Sequence, residues 1–507
     1  MLVAAMSFGS AWAPAEDSVA STSTSPRLPL NNRDADEPDF GFTDPEPLQR
    51  LATEWEPHRA MVVGLSFSEL FADQRYARYQ IELMAVAHHY VEIYVFCDDD
   101  QTRAYAYFLS MLNEHPEADA ILAKTHFVDS RNVIRWTRDY GPIFGLKADQ
   151  KMAVIDFVYK PATREEDTQT SVAAENSRRF RISESDALPG DVAVYLENRF
   201  DTPVQVVRPP LWMDGGDFMH DGRGNVLVSG KTVVRNGGDK AELEKLFQHY
   251  FAAKRLHLLR ALPGSTVNHL DMIMKFVDER TIIVPVYQDP STPPLNRYRS
   301  ELVRNVKAVL AENEAYVRKH FPDARVLRMP MPPIAFSTRL EILNAARSEF
   351  LGVIAVGRGL ITHAELMQLN GPAVAQLEER TLAVIREEIG QADMKTESGF
   401  DAVMARYGQQ PFSRYLEVYS ESTTGYRSYL NSLFLHAPDG RTAFVVPRFT
   451  ARSAAEIPRI TEWEQEVERV YREAWPDSTV HWINCDAMIQ DMGFIHCTTQ
   501  TLPNWPL

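Results

Sequence analysis

The sequence predicts a mixed α/β fold, and three observations carry that expectation. Short β-rich runs alternate with runs of helical spacing from residue 46 onward. A Pro-Asp-Gly step (Pro438 to Gly440) separates two apolar runs near the carboxyl end, which is a hairpin signal. No dinucleotide-binding fingerprint follows any strand run, so the α/β pattern is not that of a nucleotide-binding sheet.

The elements follow in order. Ala60–Gly64 is a short apolar strand. Asp73–His89 carries Tyr76, Tyr79, Leu83 and Val86 at helical spacing. Val91–Cys97 reads as a strand, 101–113 as a helix and 125–129 as a strand. Asn225–Ser229 and Lys231–Arg235 read as strands, with a helix over 239–251. Thr281–Val286 is a strand, 295–319 a helix and Ala324–Met329 a strand. Leu430–Leu435 and Ala443–Val446 flank the hairpin turn, and a helix over 452–474 leads to a strand at 478–483. The block from about 336 to 412 is rich in Ala, Leu, Glu, Arg and Gln and holds no strand run. It reads as a helical insertion.

The amino end differs. Leu2 to Ala13 is apolar and small, ending in Ala-Trp-Ala-Pro-Ala, the pattern of a secretory h-region and cleavage zone, although the charged n-region is missing. The expectation is export to a periplasmic or extracellular space. Residues 16–45 are rich in Ser, Thr, Pro, Asp and Asn and read as a linker. Residues 1–45 are thus set apart from a catalytic domain over 46–507.

Composition excludes several classes. The formal charge is −16, from 53 basic and 69 acidic residues, which argues against nucleic acid and is compatible with a cationic substrate. No run approaches the ~20 apolar residues of a membrane helix. The three cysteines, at 97, 485 and 497, are too few for a disulfide framework. Cys97 and Cys485 read as small buried hydrophobes. Gly224 to Thr232 resembles a phosphate loop, but five residues separate its glycines where four are required. His88-His89 and Asp98-Asp99-Asp100 lack ligand spacing, so no metal site is expected.

Four segments hold polar residues that a core would not choose. They are Trp136-Thr137-Arg138-Asp139-Tyr140-Gly141-Pro142, Trp212-Met213-Asp214-Gly215-Gly216-Asp217-Phe218, Val267-Asn268-His269-Leu270-Asp271-Met272, and Met492-Gly493-Phe494-Ile495-His496-Cys497-Thr498-Thr499-Gln500. If the third is extended, His269 and Asp271 share a face. Each alone is weak. Together they supply a thiol nucleophile, a histidine able to shuttle protons, and carboxylates able to pair with a planar guanidinium.

These segments, in this order, resemble the bacterial peptidyl-arginine deiminase and agmatine deiminase family of guanidino-group modifying enzymes. Trp55-Glu56-Pro57-His58 resembles its opening motif, with Glu54 unmatched, and Ser428-Tyr429-Leu430-Asn431 its Ser-Tyr-x-Asn strand entry. Asp214 stands where the family has Glu, and Asn268 where many relatives have Gly. The resemblance implies a pseudo-fivefold α/β propeller of ββαβ units with the site in its central channel, and no cofactor. It implies Cys497 as nucleophile, His269 as acid and base, and Asp139 and Asp271 as guanidinium acceptors. Asn431, Asp214, Arg138, Trp136 and Asp217 follow as substrate-binding candidates. The chain continues Arg59-Ala60-Met61 where agmatine deiminases read Trp-Pro. With the export pattern and the loop containing Lys160 and Arg164, this favours peptidyl arginine over agmatine. A cysteine peptidase, an amidinotransferase and a non-catalytic arginine-binding protein are the rival classes. The peptidase leaves the carboxylates unexplained, and its papain-like form places Cys before His.

Overall fold

The computed structural model describes residues 47–66, 74–97, 101–130, 133–159, 188–265, 267–290, 297–366, 371–390, 393–416, 424–452, 454–491 and 493–506. The export and linker segments, Asp98–Asp100, Lys160 and Arg164 lie outside the described residues.

The larger compact unit repeats one pattern five times: two antiparallel strands, a helical connection, and a third strand parallel to the second. In the first module, Gln500–Pro503 runs antiparallel to His58–Leu65, which is parallel to Glu92–Cys97, with Thr125–Asp129 beyond. The second holds Ile143–Lys147, Met152–Ile155 and Gln205–Val207, with Leu48–Leu51 added at its edge. The third holds Met219–His220, Asn225–Ser229 and Arg255–Leu259. The fourth holds Lys275–Asp278, Thr281–Tyr287 and Arg325–Met331, and the fifth Leu433–His436, Thr442–Arg448 and Thr479–Asn484.

The helices Gln74–Ala87, Leu188–Phe200, Lys240–Tyr250, Arg297–His320 and Ile457–Ala474 join the second strand to the third in each. Such a parallel step needs a crossover of this length, and it buries the middle strand on both sides. Accordingly, Val62, Val63, Val228, Ile283 and Val445 are all inaccessible or nearly so. The helices cover them with one apolar stripe. In Ile457–Ala474 the stripe is Ile460, Trp463, Val467, Val470 and Tyr471.

Two expectations are corrected. Lys231–Arg235 is not a strand, because Ser229 caps the backbone N–H of Lys231 and starts the helix Gly230–Arg235. His269 and Asp271 do not lie on an extended segment. His269 sits at the N-terminal cap of a 3-10 turn, Leu270–Met272.

The smaller unit spans Ala335–Thr424 with a short piece near residue 300. Its helices are Arg339–Gly357, His363–Leu366, Gly371–Ile389 and Glu397–Arg406. A reciprocal Thr338–Glu341 box caps the first. Ile342, Ala346, Phe350, Ile385, Phe400 and Val403 give the unit a core of its own. Among the described residues, no helix is long and apolar enough to cross a membrane.

Candidate active site

Each of the five modules contributes the segment that leads into its first strand. Thr137–Tyr140 is a single helical turn before Ile143; Gly215–Asp217 and Leu270–Met272 are 3-10 turns before Met219 and Lys275. Residues 427–432 precede Leu433, and residues 493–499 precede Gln500. Catalytic candidates far apart in sequence meet because they occupy one topological position, five times over.

Cys497 is buried. Its Sγ lies 3.1 Å from Asn431 Nδ2, which donates to it, and 3.3 Å from Asp271 Oδ2, which accepts the thiol proton. Asn431 Oδ1 accepts the backbone N–H of Phe494 at 3.0 Å and of Cys497 at 3.4 Å, so one amide fixes the nucleophile's loop and its sulfur. The loop is closed further by Thr499 Oγ1 donating to Ile495 O at 2.8 Å, and by Tyr79 and Thr498 hydroxyls 2.7 Å apart. Gly493 lets the indole of Trp136 press against the backbone; a Cβ there would stand 2.4 Å from the ring.

His269 sits between carboxylates. Its Nε2 is 3.3 Å from Asp214 Oδ2, its Nδ1 is 3.5 Å from Asp139 Oδ1, and a ring nitrogen lies within 4.8 Å of the Cys497 sulfur. Asp214 is anchored by Lys231 Nζ at 2.8 Å and Arg235 Nη1 at 2.7 Å. Burial works against a charged imidazole, but Asp139, Asp214 and the thiol outweigh it and raise the His269 pKa well above its ordinary value. Burial raises Asp214 too, yet His269, Arg235 and Lys231 hold its carboxyl well below the usual range. For Cys497 the balance goes the other way. Burial, then the Asp271 and Asp139 charges, push the thiol up to about 12, against a smaller pull from His269. The free site is therefore a neutral thiol beside an imidazolium.

The glycines permit this closeness. A Cβ on Gly216 would meet His269 Nδ1 at 2.6 Å, and one on Gly215 would meet Arg138 O at 2.1 Å. Asn268 adopts φ +58°, a left-handed conformation that Gly and Asn tolerate best, which accounts for Asn in a glycine-favouring position.

Two substrate-binding candidates are turned elsewhere. The Arg138 guanidinium is engaged by Glu54 Oε1 at 3.1 Å and His496 O at 3.4 Å. Asp217 accepts from Ser229 N–H at 3.1 Å, Ser229 Oγ at 2.7 Å and Thr232 Oγ1 at 2.7 Å, bracing its turn; burial raises its pKa to about 6 despite these donors. Asp214 faces His269, and Asn431 faces the sulfur. Glu54, His496, Lys231, Arg235 and Lys275 join the site without being site candidates from sequence. Lys231 and Arg235 fall in the expected strand Lys231–Arg235, and the place of His496 beside the nucleophile is the one available signal.

Two groups of described residues bring three potential metal donors together: His88, His89 and Glu117 at the surface, and His269, Asp271 and Cys497, whose donor atoms lie within 4.8 Å. In the second, both nitrogens of His269 lie beside carboxylates, Nε2 by Asp214 and Nδ1 by Asp139.

Glu54, Arg138 and Lys275 also line a cavity of about 710 Å³, counted out to solvent, with Thr53, His58 and His220. Cys497 and His269 are not in its wall.

The chain belongs to the Porphyromonas-type peptidyl-arginine deiminase family, whose model matches residues 50–503. Deiminases are hydrolases acting on C–N bonds of amidines, the activity that the name of this family carries. Among curated relatives, a putative agmatine deiminase of Legionella pneumophila is 22% identical over 180 residues, 34% of this chain. That match spans 46% of the relative, less than half of its length. Two solved structures share the fold. A putative arginine deiminase of Porphyromonas gingivalis aligns with TM-score 0.54 and 16% identity over 90% of this chain and 100% of that one. An agmatine deiminase of Enterococcus faecalis aligns with TM-score 0.54 and 15% identity over 90% and 95%.

Proposed function

We propose that this chain converts peptidyl arginine to peptidyl citrulline and ammonia through a covalent adduct on Cys497. The observation that carries the proposal is a single buried group: the Cys497 thiol against Asp271 and His269, with Asp139 on the other side of the imidazole. The five modules are read as blades about one axis, with this group at their centre.

The steps follow from the charges. A guanidinium bound to Asp139 and Asp271 brings a cation to the two carboxylates that hold the thiol neutral, and the thiol proton leaves to solvent. The thiolate adds to the guanidinium carbon, giving a neutral tetrahedral adduct. His269 gives its proton to one amino group, which departs as ammonia and leaves an S-alkylthiouronium cation. Neutral His269 then takes a proton from water as the hydroxide adds to the same carbon. Collapse breaks the C–S bond, the sulfur regains a proton, and the neutral ureido product leaves. Asp214 keeps the imidazole aimed throughout. No step calls for a cofactor.

Peptidyl arginine is favoured by the family matched over residues 50–503 and by Arg59-Ala60-Met61 after the opening motif. Agmatine is the second reading, because a curated relative and a solved structure of like fold carry that name. Ammonia and ureido-product assays on arginyl peptides, agmatine and free arginine separate the two. Cys497→Ala is expected to abolish turnover on whichever is used while the thermal transition persists. Ammonia release surviving that change refutes the nucleophile.

A further inference from the structure

The chemistry above leaves His496 and Glu54 unused, although both are tied to it. His496 Nδ1 lies 2.8 Å from Asp271 Oδ2, the oxygen that the Cys497 thiol also addresses. His496 Nε2 lies 2.5 Å from Glu54 Oε1. The imidazole thus bridges two carboxyl groups that are otherwise far apart in the chain. The ring's own backbone is pinned: its N–H donates to Asn431 O at 3.2 Å, and its carbonyl accepts from Arg138 Nε at 3.4 Å.

Glu54 is fixed in turn by Arg138 Nη1 at 3.1 Å and by Lys275 Nζ at 3.2 Å, and Lys275 also donates to Ser432 O at 2.8 Å. Asp271 Oδ1, by contrast, is buried without a hydrogen-bond partner. One oxygen of Asp271 is clamped and the other is open. That division suits a carboxylate waiting for an N–H from a ligand, since a buried acceptor left unpaired is costly until the ligand fills it.

We infer that Glu54 and His496 are positioning residues for the deimination site: Glu54 orients the His496 ring, and His496 clamps one oxygen of Asp271 so that the other meets the guanidinium. The inference rests on Asp271 being a guanidinium acceptor, as proposed above. It requires Glu54 and His496 to act on cation recognition and not on the thiol itself.

Two reagents separate those effects. 2-Chloroacetamidine is cationic and must be seated by the carboxylates before it alkylates Cys497; 2-chloroacetamide is its neutral counterpart. In Glu54→Gln and His496→Ala the amidine rate is expected to fall roughly ten- to hundredfold, the cost of misplacing a reacting group by up to an ångström. The amide rate should stay within about threefold. His496→Asn, whose side-chain amide can still donate to Asp271, should keep most of the amidine preference. Glu54 keeps 31% of its side chain exposed and Gln preserves its shape, so Glu54→Gln is the milder variant, and its thermal transition is checked before rates are compared. An unchanged amidine-to-amide ratio in folded Glu54→Gln overturns the inference, as does an equal slowing of both reagents, which is the mark of a structural role. A wild-type protein with no preference for the amidine overturns the guanidinium reading itself, and this inference with it.

Discussion

Gly216→Ala is the sharpest perturbation that the geometry offers. The new methyl carbon would stand 2.6 Å from His269 Nδ1, 3.1 Å from its Cγ and 3.2 Å from Asp271 Oδ2. Non-bonded heavy atoms rest at about 3.5 Å or more, so the ring must retreat by about 0.9 Å. It has little room. Its Nε2 is held by Asp214, which Lys231 and Arg235 hold in turn. Displacements of this size cost on the order of a hundredfold in rate, about 2.7 kcal/mol of barrier. Overpacking a closed core adds roughly 1–3 kcal/mol of lost stability. Steady-state ammonia release gives the first quantity and a denaturant titration the second. Gly216→Ala retaining kcat/KM within threefold, with its fold intact, refutes the claim that the imidazole's position against Gly216 governs turnover.

Three further outcomes follow from the same coordinates. Because burial and two carboxylates push the Cys497 thiol up to about 12, chloroacetamide alkylation of the free enzyme should climb about tenfold per pH unit from 7 to 10; a plateau near pH 8 contradicts this. His269 has a raised pKa in the folded chain, so the stability that it contributes is fully present below its unfolded pKa of about 6.5 and is lost as pH rises through the folded value. Asp214→Asn, which removes one cause of that rise, should therefore cost more stability near neutral pH than at pH values above the folded pKa, and urea titrations at several pH values check the trend. Arg427 is buried, with Nη2 2.5 Å from Glu456 Oε1 and 2.9 Å from Pro333 O. Arg427→Ala strands a buried carboxylate and should cost roughly 3–5 kcal/mol by denaturant titration.

What was legible in the sequence divides along a physical line. The middle strands, such as Asn225–Ser229 and Thr281–Tyr287, are apolar because both faces are covered, and they announce themselves. The first strand Met219–His220 does not, being too short for any period and held by its sheet partner. Lys231–Arg235 misled because Thr232, Val233 and Val234 favour strands, while the Ser229 cap decided the matter. In the site, the residues in contact with the thiol stood in short motifs. Their supports did not: Glu54 and His496 are 442 positions apart, and nothing local to Glu54 distinguishes it from a surface acid.

The charge arrangement also bears on selectivity. Ionising at pH 7 a thiol pushed up to about 12 costs about 7 kcal/mol, so the resting site holds almost no thiolate. A cation placed about 4 Å from the sulfur returns roughly 4 kcal/mol at an effective dielectric of 20, and neutralising the two carboxylates that opposed ionisation supplies more. A neutral amide of the same shape returns neither. On the proposed mechanism the positive charge of the substrate does two jobs, seating the guanidinium and arming the nucleophile. The ureido product, once neutral, loses both: the carboxylates again oppose the thiolate, the thiol regains its proton, and nothing holds the product. On the proposed mechanism, discrimination between guanidine and urea is then set by the ligand's charge beside Asp139 and Asp271 more than by its shape.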